Sequence, residues 1–361
     1  MMPVNWKQKL FGSVCVLLVA AIGCNFIGAV QKYTSSQSLV QAADGKPIQW
    51  VTFDPPYSAL VKAMNYDIES QSQEIQIDWV DLLAYLSASY WGEWKKYKAK
   101  DMEEAVEKLK SGVKIEELAA DYQYFSYYQQ AYTAVLGGMV GEYQIGNGET
   151  DASGNPIMET KYGLKAYSPI AYGYSFSHYD DFGNSRNYGY KRKHLGNDLL
   201  ASIGTPIVAV ESGIITHIGW NQYGGWRIGI RSLDGKRYYY YAHLRKDHPF
   251  RQDLTEGTLV EAGDLIGYVG MTGYSTKENV NGMQVPHLHF GMQLIFDPSQ
   301  EEGEHEIWID VYEIIKLLEK HKSPLLQQEG QSDYIRKYEF VDPTVEEYVR
   351  KGSDITPQPS N

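Results

Sequence analysis

His287 and His289 stand two apart in the run Pro286-His287-Leu288-His289-Phe290. Side chains alternate along a strand, so both rings would point to one face with about 6.6 Å between their backbone positions, close enough to meet around one metal ion. Ordinary polar alternation also produces His-x-His, so the pair needs partners before it means metal. His194-Leu195-Gly196-Asn197-Asp198 offers them. Gly196-Asn197 and the following Thr205-Pro206 argue against a helix here, and a straight strand would hold His194 and Asp198 about 13 Å apart. The chain must therefore bend at Gly196-Asn197, and glycine tolerates a bend. His194, Asp198 and a histidine from the distant strand would then make a nitrogen, oxygen, nitrogen set that suits zinc and leaves one tetrahedral position open. Cys15 and Cys24, the only cysteines, lie in an apolar N-terminal run, so neither a thiolate ligand nor a disulfide is available to the rest of the chain.

These residues belong to a longer ordered set. His194 and Asp198 are followed by Gly204-Thr205-Pro206, Ser212-Gly213, Tyr223-Gly224-Gly225, Tyr241-Ala242-His243-Leu244, Gly257, Gly263, Ile266-Gly267, Gly270, Thr272-Gly273, Ser275-Thr276 and the His287/His289 run. In order and spacing, residues 190–295 resemble the lysostaphin/LytM-type zinc metallopeptidases of cell-wall turnover, peptidase family M23. The resemblance implies that His194, Asp198 and His289 hold Zn2+ and that His243 and His287 are the catalytic histidines. It implies an endopeptidase that hydrolyses peptide bonds in the stem peptides or cross-links of peptidoglycan. The chemistry agrees with that division: zinc lowers the pKa of water and polarises a carbonyl, and a neighbouring histidine exchanges protons near pH 7. The alternative is a non-catalytic cell-wall binding or assembly protein on the same fold; intact site residues favour the enzyme. The sequence departs from the family pattern at the polar insertion Lys277–Val285, expected to be exposed, mobile chain at the groove rim, and at Gly291, where the family often has an acid. Tyr239, Tyr241 and His243 alternate, which predicts that they share a face beside the cleft. His178, His217, His248, His305 and His321 read as ordinary histidines.

The elements that must position these groups change character along the chain. Asp78–Trp94, with Trp79, Leu82, Leu83, Leu86 and Tyr90 at helical spacing, predicts one helix; a second starts at Asp101, capped through Asp101 and Glu104, and stops near Gly112. Tyr122–Val140 predicts a third, its many tyrosines packing a small helical domain. Turn formers between Gly146 and Pro169 mark a boundary. Beyond it, Thr205–Val210, Gly213–Trp220, Trp226–Leu233, Lys236–Leu244, Asp264–Gly270 and His287–Ile295 read as strands, with a hairpin turn at Asp234-Gly235, and Glu306–His321 as a C-terminal helix.

Leu10–Val30 has no formal charge over 21 residues and follows Lys7 and Lys9; as a helix it would span about 31 Å, the thickness of a bilayer core. It reads as a signal anchor that tethers the chain to the cytoplasmic membrane with the remainder extracytoplasmic, a lipoprotein or cleaved signal being the alternatives. Residues 31–361 carry 31 basic against 45 acidic residues, net −14, which argues against nucleic acid as a partner. The expected fold class is α+β: a membrane helix (1–30), a tether (31–56), a helical domain (57–145), a linker and lead-in (146–185), a mostly antiparallel β-sheet peptidase domain (186–300), and a C-terminal helix with polar tail (301–361).

Overall fold

The computed structural model describes residues 48–187, 191–301, 305–327, 330 and 332–353. The expected anchor Leu10–Val30 and most of the tether lie outside the described residues, and among the described residues no helix is long and apolar enough to cross a membrane. The chain divides into two units, residues 39–345 and a second joining 1–38 with 346–361.

The first unit begins with helices α1 (Tyr57–Ser70), α2 (Trp79–Tyr90), α3 (Ala99–Lys110), α4 (Ile115–Leu118) and α5 (Phe125–Leu136). Helix α2 starts where the Asp78 side chain accepts from the Val80 and Asp81 amides, which satisfies two of the orphan donors of its first turn. Leu82, Leu83 and Leu86 are buried, as their spacing requires. Helix α3 departs from expectation: it begins at Ala99 after Lys98 and has no side-chain cap, so Asp101 lies within the first turn, where its charge suits the helix N-terminus. The Asp101 carboxylate accepts instead from Tyr90 Oη at 2.6 Å. The tyrosines of α5 pack. Tyr132 is buried against Phe53 and Tyr128, and its hydroxyl meets Ser87 and Trp94 Nε1 at 2.9 Å each.

Helix α5 is shorter than Tyr122–Val140 because the chain turns at Gly137-Gly138 and enters a hairpin, β1 (Val140–Thr150) with β2 (Pro156–Leu164). The cluster of turn formers after Gly146 includes the tip of this hairpin, where Asp151 accepts the Ser153 and Asn155 amides. Then follow β3 (Ser185–Asn187), β4 (Lys191–Lys193), β5 (Asn197–Leu200), β6 (Pro206–Val208), β7 (Gly213–Asn221), β8 (Gly225–Ser232), β9 (Arg237–Ala242), β10 (Leu259–Val260), β11 (Leu265–Tyr268), β12 (His287–Leu294) and β13 (Ile307–Ile309). The main sheet is antiparallel, in the order β10-β7-β8-β9-β12-β13, with β5 also paired to β12. All six predicted β runs contain strands, whereas Glu306–His321 is not one helix: Ile307–Ile309 pairs with β12, and only Tyr312–Leu318 (α6) is helical. Residues that a period of 3.6 fitted were taken by the open edge of β12, an override of local pattern by tertiary pairing.

Short strands β14 (Leu325–Gln327), β15 (Tyr334–Arg336) and β16 (Phe340–Val341) follow. Of the second unit, the described part is the end of helix α7 (Pro343–Ser353), where Lys351 pairs with Glu347 at 2.6 Å.

The fold is thus α+β, helical at the start and mostly antiparallel β afterwards. Within the first unit, hydrophobic residues of α1, α2 and α5 and of the main sheet share one core. Its polar centre is Arg237, 1% exposed. The guanidinium meets Glu211 at 2.8 and 2.9 Å and Asp234 at 3.0 Å, and donates to the Thr133 and Ala134 carbonyls at the end of α5. A cation at a helix C-terminus meets the negative end of the dipole.

Candidate active site

Strand β12 carries the site because of its register. Its residues alternate: Leu288, Phe290, Met292 and Leu294 enter the core, while His287, His289, Gly291 and Gln293 take the opposite face. On one edge, β5 sets Asp198 opposite His289; on the other, β9 sets Ala242 opposite His289 and Tyr240 opposite Gly291. His194 precedes β5 and reaches the same point across the bend at Gly196.

Gly196 serves that bend by close approach. A Cβ there would lie 2.6 Å from the Phe290 carbonyl oxygen and 2.8 Å from the His289 ring, so any side chain would displace the histidine.

The three atoms that converge are His194 Nε2, Asp198 Oδ1 and His289 Nδ1. The separations are 3.0 Å between His194 and Asp198, 3.0 Å between the two rings, and 2.9 Å between His289 and Asp198. Ligand atoms about 2.0–2.1 Å from a tetrahedral ion lie about 3.3 Å apart, so the set is close to the size that such an ion requires. Among the described residues it is the group of three that could hold a metal ion. Burial alone would raise the Asp198 carboxyl, but the His194 and His289 rings overcome it and hold the group well below the usual carboxylate range.

His243 and His287 complete the constellation. His287 Nδ1 donates to the Val285 carbonyl at 2.8 Å, and its Nε2 lies 3.8 Å from Asp198 Oδ1. His243 Nδ1 donates to the Thr272 carbonyl at 2.8 Å, and its ring centroid is 4.9 Å from that of His287. Both rings are therefore fixed in the tautomer that leaves Nε2 as the acceptor. Burial first, then the neighbouring His287 and His289, push His243 down to about 3, so it is a neutral imidazole.

The expected face of Tyr239, Tyr241 and His243 is corrected here. Tyr239 and Tyr241 are wholly buried in the core, where they bond to Glu211 and to the Val210 amide. His243 has a backbone φ of 60°, outside β9, and this left-handed residue breaks the alternation. Tyr238 and Tyr240 line the groove instead.

Two residues that sequence reasoning passed over support the cluster. Asp181 Oδ1 lies 3.2 Å from His194 Nδ1, and Arg186 Nη2 lies 3.1 Å from Asp198 Oδ2 and is paired with Asp181. Such groups orient a metal-binding ring and its carboxylate. They fall 13 and 8 residues before His194 with no motif to mark them. His178, His248 and His321 bond to Asn197, Asp333 and the Ala166 carbonyl respectively, and none joins the cluster.

A cavity of about 460 Å3 opens on the side of His243, His289, Tyr240 and Trp308, and one of about 360 Å3 on the side of Asp198 and His287. The insertion Lys277–Val285 walls the second through Gly282, Met283, Gln284 and Val285. It lies at the rim as expected, but it is tied down. Asn279 accepts from Trp226 Nε1 and the Asp247 amide and donates to Asp247 Oδ1, and the Met283 amide donates to the Met271 carbonyl.

Residues 192–301 match the model of "Peptidase family M23". The chain is similar to L-Ala–D-Glu endopeptidase of Bacillus subtilis, 34% identical over 154 residues that make 43% of this chain and 44% of the relative. It is similar to lysostaphin of Staphylococcus staphylolyticus, 42% identical over 98 residues, 27% of this chain and 18% of the relative. The matched segments thus span less than half the length of these curated relatives. Among solved structures, a candidate glycyl-glycine endopeptidase lytM from Ruminococcus gnavus aligns over 72% of this chain and 88% of its own, with 26% identity and a TM-score of 0.50. With the His-Asp-His cluster in the matched segment, this chain carries a domain of the metallopeptidase family M23.

Proposed function

We propose that the chain is a zinc-dependent endopeptidase that hydrolyses peptide bonds in peptidoglycan. The observation that carries this reading is the approach of His194 Nε2, Asp198 Oδ1 and His289 Nδ1 to within 3.0 Å of one another between two cavities. Two imidazole nitrogens and one carboxylate oxygen are a zinc donor set with a position left for substrate or water. When bound, zinc would supply Lewis acidity to the scissile carbonyl and lower the pKa of water.

The remaining work falls to the chain's own residues. His243, neutral and held by the Thr272 carbonyl, accepts a proton at Nε2 and returns it to the leaving amine. His287, held by the Val285 carbonyl, presents its ring on the other side of Asp198 and steadies charge that develops on the carbonyl oxygen. A peptide lying across the cluster would run from one cavity to the other, with its scissile bond at the histidines.

The same reading takes Leu10–Val30 as a membrane anchor and sets residues 31–361 outside the cytoplasmic membrane, where peptidoglycan is. Digestion of purified cell wall by residues 31–361, with the released muropeptides identified by mass spectrometry, tests the activity. New peptide termini that vanish on chelation and return with zinc are expected. Intact wall after incubation with the zinc-loaded protein would leave a binding protein as the reading.

A further inference from the structure

His194 is held from behind by a segment that precedes the family match. Strands β3 and β4 pair directly before it; the Gly183 amide donates to the His194 carbonyl at 2.8 Å, and the His194 amide donates to the Asn184 carbonyl at 2.9 Å. Asp181 and Arg186 belong to this segment and lie before residue 192, where the match to the family begins.

A count of hydrogens decides what these two side chains do. Arg186 Nη2 meets three atoms: Asp181 Oδ2, Asp198 Oδ2 at 3.1 Å and His194 Nδ1 at 3.2 Å. That nitrogen carries two hydrogens, and a guanidinium accepts none. The two carboxylate oxygens take both, by charge-assisted bonds that outweigh one to an imidazole. None is left for His194 Nδ1, which must then donate, and a donor at Nδ1 leaves Nε2 with its lone pair towards Asp198 and His289. The acceptors in reach are the Asp181 carbonyl at 3.4 Å and Asp181 Oδ1 at 3.2 Å, a buried oxygen with no other partner among the described residues.

The same count fixes Asp198. Its Oδ1 faces His194 and His289 at 3.0 and 2.9 Å, while its Oδ2 is taken by Arg186. A carboxylate tied in this way offers an ion one oxygen and not two, and a third ligand that binds through one atom leaves the fourth tetrahedral position open.

Resting on the zinc reading above, we infer that Asp181 and Arg186 are positioning residues with separate tasks. Asp181 selects the His194 tautomer that binds through Nε2. Arg186 restricts Asp198 to one oxygen, which keeps the protein from filling its own open position.

The test reads the metal alone on the full chain: zinc affinity by competition with a chelating dye, and the visible spectrum with cobalt in place of zinc, whose bands weaken when coordination rises above four. Circular dichroism establishes that each variant is folded. Loss of such a partner costs about ten- to a hundredfold in metal affinity. Asp181→Ala should weaken zinc binding by about that factor and keep the four-coordinate cobalt spectrum. Asp181→Asn retains an acceptor oxygen and should recover part of the loss. Arg186→Met should shift cobalt to the weaker bands of five-coordination, a change that loosened packing does not produce. Arg186→Gln, polar and uncharged, gives the same reading should Arg186→Met fold poorly. Zinc affinity unchanged in Asp181→Ala, or a four-coordinate spectrum in both Arg186 variants, would overturn the inference. A parent that binds no zinc would end this inference and the zinc reading together; one that binds zinc but cuts no wall ends the peptidase reading alone.

Discussion

Strands β9 and β12 present a buried polar cluster on each face of one sheet, and the two clusters have opposite characters. On the core face, Arg237 is surrounded by Glu211, Asp234, the hydroxyl of Tyr239 through Glu211, and two carbonyls of α5. Opposite charges meet and every bond has a donor and an acceptor. On the groove face, His194 Nε2 and His289 Nδ1 lie 3.0 Å apart, and both approach the same oxygen of Asp198. Three possible ligand atoms converge on one another. A cluster that is complete in itself braces the fold, whereas one whose lone pairs converge calls for a cation. Burial and polarity alone do not separate the two; complementarity does.

Breaking each cluster should therefore break a different property. His289→Ala is expected to remove zinc, from about one ion per chain to none, and with it hydrolysis of cell wall; the chain should still fold. Arg237→Met strands Glu211 in the core and should cost about 3–5 kcal/mol of stability, while folded molecules keep their zinc. Metal analysis and denaturant titration of both variants check this. Undiminished zinc in His289→Ala, or zinc loss at unchanged stability in Arg237→Met, would erase the distinction between the faces.

A smaller effect divides the groove face itself. His243→Ala should retain zinc and lose about a hundred- to ten-thousandfold in rate, the usual worth of a positioned acid or base. Loss of zinc together with rate would make His243 a ligand.

The contrast also explains what could be read from the chain. The strands were legible because period two survives in them, and the shared face of His287 and His289 because His-x-His on a strand must face one way. The cleft-side tyrosines were misassigned for one reason: a left-handed residue at His243 shifts the alternation, and a histidine gives no notice of a positive φ as glycine does. Glu306–His321 hid a strand whose formation depends on the free edge of β12, a long-range fact that no local period contains. Asp181 and Arg186 act through their neighbours in space and have no fixed spacing to betray them.

The smallest predicted effect lies in a third buried cluster, between the two extremes, where basic groups are present but too few. Lys165 pairs with Asp342 at 2.7 Å and Arg336 with Asp264 at 2.8 Å, while Glu261 accepts the Asp342 amide at 3.1 Å. Burial, with Asp264 and Asp342 adding to it, pushes Glu261 up from 4.5 to about 7, against the opposing pull of Arg336. A carboxyl raised in the folded state holds its proton there after the unfolded chain has released it. Stability linked to Glu261 is thus fully present below about pH 4.5 and is lost as pH rises towards 7. Glu261→Gln keeps the shape without the titration, so parent and variant should diverge with rising pH, the parent losing ground across that window. Urea midpoints at half-unit intervals from pH 4.5 to 8 would show it. A constant difference, or a parent that gains on the variant as pH rises, would place Glu261 with the compensated groups of the core face.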